Sequence, residues 1–166
     1  MLPDAILSGK PYPIKAMLIF GSNPLLSWPN AEAVKEALAK LDLLILVDLY
    51  RNDSAAFATH LLPAATFLEK LDMQAPNIAS PRIVQLQTPA VEPCGDAQSE
   101  PWVIRALADK LGLGDAFPET DEQIIDAVLN HWGSSIEELK ANPSGIEIEP
   151  VPVGHYHSHP YPTASG

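Results

Sequence analysis

The chain has 166 residues, 46% of them hydrophobic, which is enough for one domain with a packed core and too few for two comfortable ones. The net charge of −11 is uneven, with seven Lys/Arg against eleven Asp/Glu in residues 1–100 and three against ten in 101–166; such a surface repels phosphate backbones and excludes a general nucleic-acid binder. A single cysteine, Cys94, excludes an internal disulfide and any cysteine-rich metal or iron–sulfur site within this chain, and no apolar run approaches a membrane span of about 18 residues.

Pro3, Pro11 and Pro13, with no periodicity between them, predict an extended lead-in over residues 1–13. The run Met-Leu-Ile-Phe-Gly-Ser-Asn-Pro (17–24) reads as a strand ending in a turn: Gly21 permits a sharp change of direction, Ser22 and Asn23 offer short polar side chains, and Pro24 fixes the exit. Asn30 is a suitable N-cap, and Val34, Ala37, Leu38 and Leu41 fall on one stripe of a helix over about 31–40. Leu-Leu-Ile-Leu-Val-Asp (43–48) is apolar up to its last residue, as in a central parallel strand covered on both faces. A loop follows at Arg51–Ser54, with an N-cap and a short helix through Ala55–Ala58. His60–Leu62, stopped by Pro63, makes a third short strand, and Ala65–Lys70 a further helical turn.

From Leu71 to Pro101 the composition shifts to Pro, Gln, Asn and Ser, predicting a long irregular segment with one strand at 82–87. Pro101 opens a helix whose stripe is Ile104, Leu107, Ala108 and Leu111, ended by Gly112. Thr120 with Gln123 and Ser134 with Glu137 form two capping-box patterns, and Asn142-Pro143 ends the last helix. Residues 146–151 allow one strand, before a His-, Pro- and Ser-rich tail. The expected fold class is therefore α/β: a three-layer sandwich with a short, mainly parallel, Rossmann-like sheet near 15–20, 43–48 and 60–63, followed by helices and an irregular tail.

Ligands of such sheets bind at the strand carboxyl ends. The first strand ends there in Gly21–Pro24 and the second in Asp48. A carboxylate accepts two parallel hydrogen bonds, which suits ribose hydroxyls or the paired N–H donors of a guanine edge. The structural alternatives are an ordinary turn for 21–24 and a cap or loop brace for Asp48. The phosphate-loop lysine pattern and the Gly-x-Gly-x-x-Gly fingerprint are absent from the sequence, which disfavours an ordinary ATP or nicotinamide site. His155, His157 and His159 alternate as metal ligands on a strand can, but their Pro/Ser/Gly-rich setting reads as a flexible segment. Cys94 reads as an incidental loop thiol, Glu69 and Lys70 as a solvated pair, and Trp28, Trp102 and Trp132 as core or boundary residues.

Taken together, Pro-Tyr-Pro-Ile-Lys-Ala (11–16), Gly-Ser-Asn-Pro (21–24), Leu-Val-Asp (46–48), Leu-Leu-Pro-Ala-Ala-Thr-Phe-Leu-Glu-Lys (61–70), Val-Gln (84–85), Ala-Val-Glu-Pro-Cys-Gly-Asp-Ala (90–97) and Ala-Asp-Lys-Leu-Gly (108–112) resemble part of the molybdopterin oxidoreductase family. These enzymes carry molybdenum or tungsten on a bis-(molybdopterin guanine dinucleotide) cofactor. Thr-Ala-Ser-Gly (163–166) is similar to the start of the family's Thr-Pro-Ser-Gly-Lys segment, which leads into a C-terminal barrel. The resemblance implies a fragment: residues 1–145 as an α/β domain that binds molybdopterin guanine dinucleotide, and 146–166 as an extended linker towards the barrel. It implies cofactor contacts at Gly21, Ser22, Asn23, Pro24, Asp48, Asn52 and Ser54, with Asn52 and Ser54 in a loop the family fills with threonine and Ala58-Thr59 in place of Ala-Asp. No catalytic residue and no metal ligand is expected in the chain, and an iron–sulfur cluster is expected in a missing domain. The implied partners are the remaining domains of the parent enzyme and electron-transfer subunits, with no nucleic acid and no direct membrane insertion. The start of the chain lacks the pattern of a signal peptide, and a soluble protein, cytoplasmic or periplasmic, is expected. The alternative function is a noncatalytic α/β interaction domain.

Overall fold

A computed structural model describes residues 2–75, 83–148 and 163. Two compact units divide the chain, Met1–Lys70 with Ala90–Gly114, and Leu71–Pro89 with Asp115–Gly166. Both contain residues of the 1–145 stretch.

The first unit holds a parallel sheet of β1 (Ala16–Phe20), β2 (Leu43–Asp48) and β3 (His60–Pro63), with β2 in the centre. Side chains of successive residues in β2 leave on opposite faces. Leu44 and Leu46 join Ile19, Ile6 of α1 (Leu2–Ser8) and Val34, Ala37 and Leu38 of α3 (Ala31–Ala39) in one core. Ile45 and Val47 meet Ala64 and Val103 of α4 (Glu100–Lys110) in another. The sheet is thus covered by helices on both faces, the expected three layers. Each fully buried Val or Leu on the α3 stripe is worth about 1.5–3 kcal/mol relative to exposure, and Asn30 caps α3 by accepting from the Ala33 N–H at 3.3 Å.

Several expectations are corrected. The lead-in contains α1, because Pro3 sits in its first turn, where a missing N–H costs nothing and the ring lies buried beside Ile6. The short helix expected through Ala55–Ala58 is a 3₁₀ helix that starts earlier, over Asp53–Phe57, and residues 67–69 form a hydrogen-bonded turn rather than a helical one. On α4 the buried residues are Val103 and Ala108, while Ile104, Leu107, Leu111 and Trp102 are exposed.

In the second unit, β4 (Asp72–Gln74), β5 (Ile83–Gln87) and β6 (Ile146–Glu147) form an antiparallel sheet; β5 and β6 fall on the strands expected at 82–87 and within 146–151, and β4 lies where the irregular segment was expected. Val84 of β5 packs with Ile125 and Leu129 of α5 (Asp121–His131) and with Ile136 and Leu139 of α6 (Ile136–Ala141). Gly145 is required here, since its φ is +91° and a Cβ would come within 2.7 Å of the Val84 carbonyl oxygen. The Thr120–Gln123 capping box is present. The second cap lies one residue later than expected: Ser135 accepts from the Glu138 N–H at 3.2 Å, while Ser134 donates to the Glu138 side chain. No helix among the described residues is long and apolar enough to cross a membrane.

Candidate functional site

At the end of β1 the ladder runs one rung further, Gly21 N–H donating to the Val47 carbonyl at 2.9 Å. Gly21 then turns with a φ of +53°, a region that side chains other than glycine adopt at a cost. Asn23 stands at the N-cap of the short α2 (Pro24–Ser27), with Pro24 buried at the first helical position. The Asn23 carbonyl accepts from the Leu26 and Ser27 N–H groups, both at 3.0 Å.

At the end of β2, Asp48 lies level with Pro63 of β3. Its Oδ1 accepts from the Tyr50 N–H at 3.1 Å and its Oδ2 from Asn52 Nδ2 at 2.9 Å. The same Nδ2 reaches the Ser22 carbonyl at 3.4 Å, and Asn52 Oδ1 accepts from the Ser54 N–H at 3.0 Å. Ser54 Oγ in turn donates to Asn23 Oδ1 at 2.7 Å. Residues from two loops 30–31 positions apart are therefore joined in one hydrogen-bonded network. Asp48 is a loop brace in this structure. Each carboxylate oxygen accepts one of these bonds and has a further lone pair for a ligand donor.

Asp48 also lines an open groove of about 230 Å³ with Leu46, Leu49, Tyr50, Arg51, Leu61, Leu62 and Pro63. The groove combines an apolar wall from the exposed edge strand β3, an exposed tyrosine, one cation and one carboxylate. That combination suits a planar ring carrying N–H donors and an anionic tail. Tyr50 and Arg51 were not singled out from the sequence; their place directly after Asp48, at the carboxyl end of a central strand, is the signal that could have found them.

The expected contact residues differ in what they can touch. Gly21 is exposed, and Ser22, Asn23, Asp48 and Asn52 are half-buried, whereas Pro24 and Ser54 are fully buried. Pro24 and Ser54 shape the site from beneath. Thr59 lies at the opposite, amino end of β3, where its hydroxyl donates to the Leu44 carbonyl at 2.9 Å and accepts from the Leu44 N–H at 3.1 Å.

Glu69 and Lys70 each have a structural role in place of a solvated pairing. Glu69 accepts from the Thr66 and Cys94 N–H groups, both at 2.8 Å, and these bonds, that from Thr66 first, hold its carboxyl below the ordinary range. Lys70 pairs at 2.5 Å with Glu100, with both side chains largely shielded. Cys94 is an exposed free thiol. Trp28 and Trp132 pack against the cores, while Trp102 is exposed. Among the described residues no group of three or more His, Cys, Asp or Glu is arranged to hold a metal. His155, His157 and His159 lie outside the described residues.

The family model for molybdopterin oxidoreductases matches residues 4–110. The thiosulfate reductase molybdopterin-containing subunit of Salmonella typhimurium is 33% identical over 120 residues, 72% of this chain and 16% of that protein. The F420-dependent formate dehydrogenase subunit alpha of Methanocaldococcus jannaschii is 41% identical over 104 residues, covering 63% of this chain and 15% of that protein. Among solved structures, acetylene hydratase from Pelobacter acetylenicus is similar with a TM-score of 0.67 and 31% identity, over 88% of this chain and 18% of that one. The chain thus spans less than a fifth of the length of these relatives.

Proposed function

The chain belongs to the molybdopterin oxidoreductase family, and from that premise we propose that its first unit holds the guanosine arm of a molybdopterin guanine dinucleotide within a larger molybdenum or tungsten oxidoreductase. The observation that carries this reading is the network joining Asn23, Ser54, Asn52 and Asp48 at the carboxyl ends of β1 and β2, beside an open groove. The network leaves the Asn23 NH₂ group with no hydrogen bond among the described residues, and it leaves acceptor capacity on Asp48, which lines the groove.

These residues fit the nucleotide end of the cofactor. Asp48 offers two acceptors to the adjacent N–H groups of a guanine edge, Tyr50 and β3 offer apolar walls, and Arg51 offers a cation for phosphate. When bound, the metal–pterin group supplies electron transfer, with oxygen-atom or hydride-equivalent transfer. The chain's own residues bind and orient it. The metal ligand, any iron–sulfur cluster and contacts with electron-transfer subunits are assigned to other parts of the parent enzyme. Of residues 146–166, those beyond β6 and the buried Ile148 are assigned to the connection towards a following domain.

The alternative, a noncatalytic interaction domain, treats the same network as scaffolding. Calorimetric titration of the 166-residue chain with GDP separates the two. Binding that falls at least tenfold in Asp48→Ala supports the cofactor site. Absence of binding, or equal binding by the variant, supports the alternative.

A further inference from the structure

Resting on the nucleotide-binding reading above, we propose that Ser54 is a positioning residue that turns the Asn23 side-chain amide so that its NH₂ group donates to an acceptor oxygen of the bound nucleotide. An asparagine at an N-cap ordinarily uses its side-chain oxygen to accept an N–H from the first turn of its helix. Asn23 makes no such bond. The Leu25 N–H is received instead by Ser54 Oγ at 3.3 Å, from 29 residues further along the chain. Ser54 thereby caps α2 in place of Asn23 and frees that side chain for another role.

The direction of the Ser54–Asn23 bond follows from burial. Ser54 is 0% exposed, and its hydroxyl carries one proton. With the Leu25 N–H already received, that proton needs an acceptor, since an unsatisfied buried donor costs about 1–3 kcal/mol. Asn23 Oδ1, 2.7 Å away, is the acceptor. The amide therefore turns Nδ2 away from Ser54. Asn23 is half-buried, and Nδ2 makes no hydrogen bond among the described residues.

The same serine orients the second amide of the site. Its backbone N–H is a donor, so it faces Asn52 Oδ1 at 3.0 Å and leaves Asn52 Nδ2 for Asp48. Ser54 thus sets both asparagines without reaching the ligand. One amide keeps an NH₂ group that bonds to none of the described residues, and the other holds the acceptor carboxylate in place. The ligand class that fits is a guanine nucleotide whose N–H edge meets Asp48 and whose phosphate or ribose oxygens meet Asn23.

The test uses the full 166-residue chain with GDP as probe, comparing Ser54→Ala, Ser54→Thr and Asn23→Asp by calorimetry, with ¹⁵N–¹H spectra of the side-chain amides. Ser54→Ala is expected to lose about tenfold in affinity, the scale of one hydrogen bond. Ser54→Thr, which keeps the hydroxyl, is expected to bind like the wild type. Asn23→Asp, an acceptor in place of a donor, is expected to lose at least as much as Ser54→Ala. The Asn23 NH₂ signals of the wild type are expected to shift when GDP is added. Should Ser54→Ala or Asn23→Asp bind GDP as tightly as the wild type while Asp48→Ala loses it, the positioning role is overturned and the nucleotide site stands. Should the wild type bind no GDP, both readings are overturned. Because Asn23 is only half-buried, Asn23→Asp decides the matter even where Ser54→Ala does not fold.

Discussion

Asn52 Nδ2 donates a 2.9 Å hydrogen bond to Asp48 Oδ2, across the four-residue loop that leaves β2. The carboxylate is thereby fixed on both oxygens, with the Tyr50 N–H on the other. Asn52→Ala removes this bond, leaves the Ser54 N–H without its acceptor, and frees the loop from the Ser22 carbonyl. A loss of about 1–3 kcal/mol is expected, read as a lower urea midpoint at unchanged slope. Asn52→Asp is expected to cost more than Asn52→Ala near neutral pH, since it sets a second carboxylate against the first.

Gly21 separates conformational from steric demands at the β1 turn. Its φ is +53°, and a Cβ built there meets nothing within 4 Å. Gly21→Ala is therefore expected to destabilise by about 1–2 kcal/mol from backbone strain alone. Gly21→Asn is expected to cost less, because asparagine tolerates the left-handed region. Thermal unfolding of the two variants checks the order; a larger loss for Asn would mean that space, not conformation, limits the position.

The legibility of the chain follows the length of its patterns. The α3 helix has nine residues and the β2 run six, and both were readable because periodicity had room to repeat. β4 has only three residues, so no alternation could mark it, whereas β6, Ile146–Glu147, falls inside the strand expected over 146–151. On α4 the sequence carries apolar residues on more than one face, and periodicity cannot say which of them is buried; Val103, which meets the sheet, and Ala108 are, while Ile104 and Leu107 are exposed. At the site, Asp48 and the 21–24 turn were legible as strand ends. The burial of Ser54 was not, because the N–H that it caps belongs to Leu25, far away in sequence.

Glu69 carries a pH dependence of definite sign. Hydrogen bonds from the Thr66 and Cys94 N–H groups hold its folded-state pKa below the ordinary value. A carboxyl shifted downward contributes stability that is fully present above its unfolded-state pKa and is lost as pH falls through the lowered folded value. Glu69→Gln can offer one acceptor oxygen where the carboxylate offers two. It is expected to be less stable than the wild type near neutral pH, with the gap closing as the solution is acidified. Unfolding midpoints of both proteins across that range check the sign, and a gap that widened on acidification would contradict it.

Thr59 tests whether the position before β3 serves the ligand or the sheet. Its hydroxyl donates to the Leu44 carbonyl and accepts from the Leu44 N–H, and its own N–H also reaches that carbonyl at 2.8 Å. The side chain completes the β2–β3 ladder at its amino end, opposite the groove. Thr59→Val keeps the branched shape and removes both hydroxyl bonds to Leu44 as well as the contact with His60 Nδ1, so a loss of about 1–2 kcal/mol is expected, while Thr59→Ser is expected to retain most of the stability. Thr59→Asp can still accept from Leu44 but can no longer donate, which places it between the two. None of the three is expected to change GDP affinity by as much as twofold, because the groove lies at the other end of the strand. An affinity change that tracked the loss of the hydroxyl would move Thr59 from the sheet to the site.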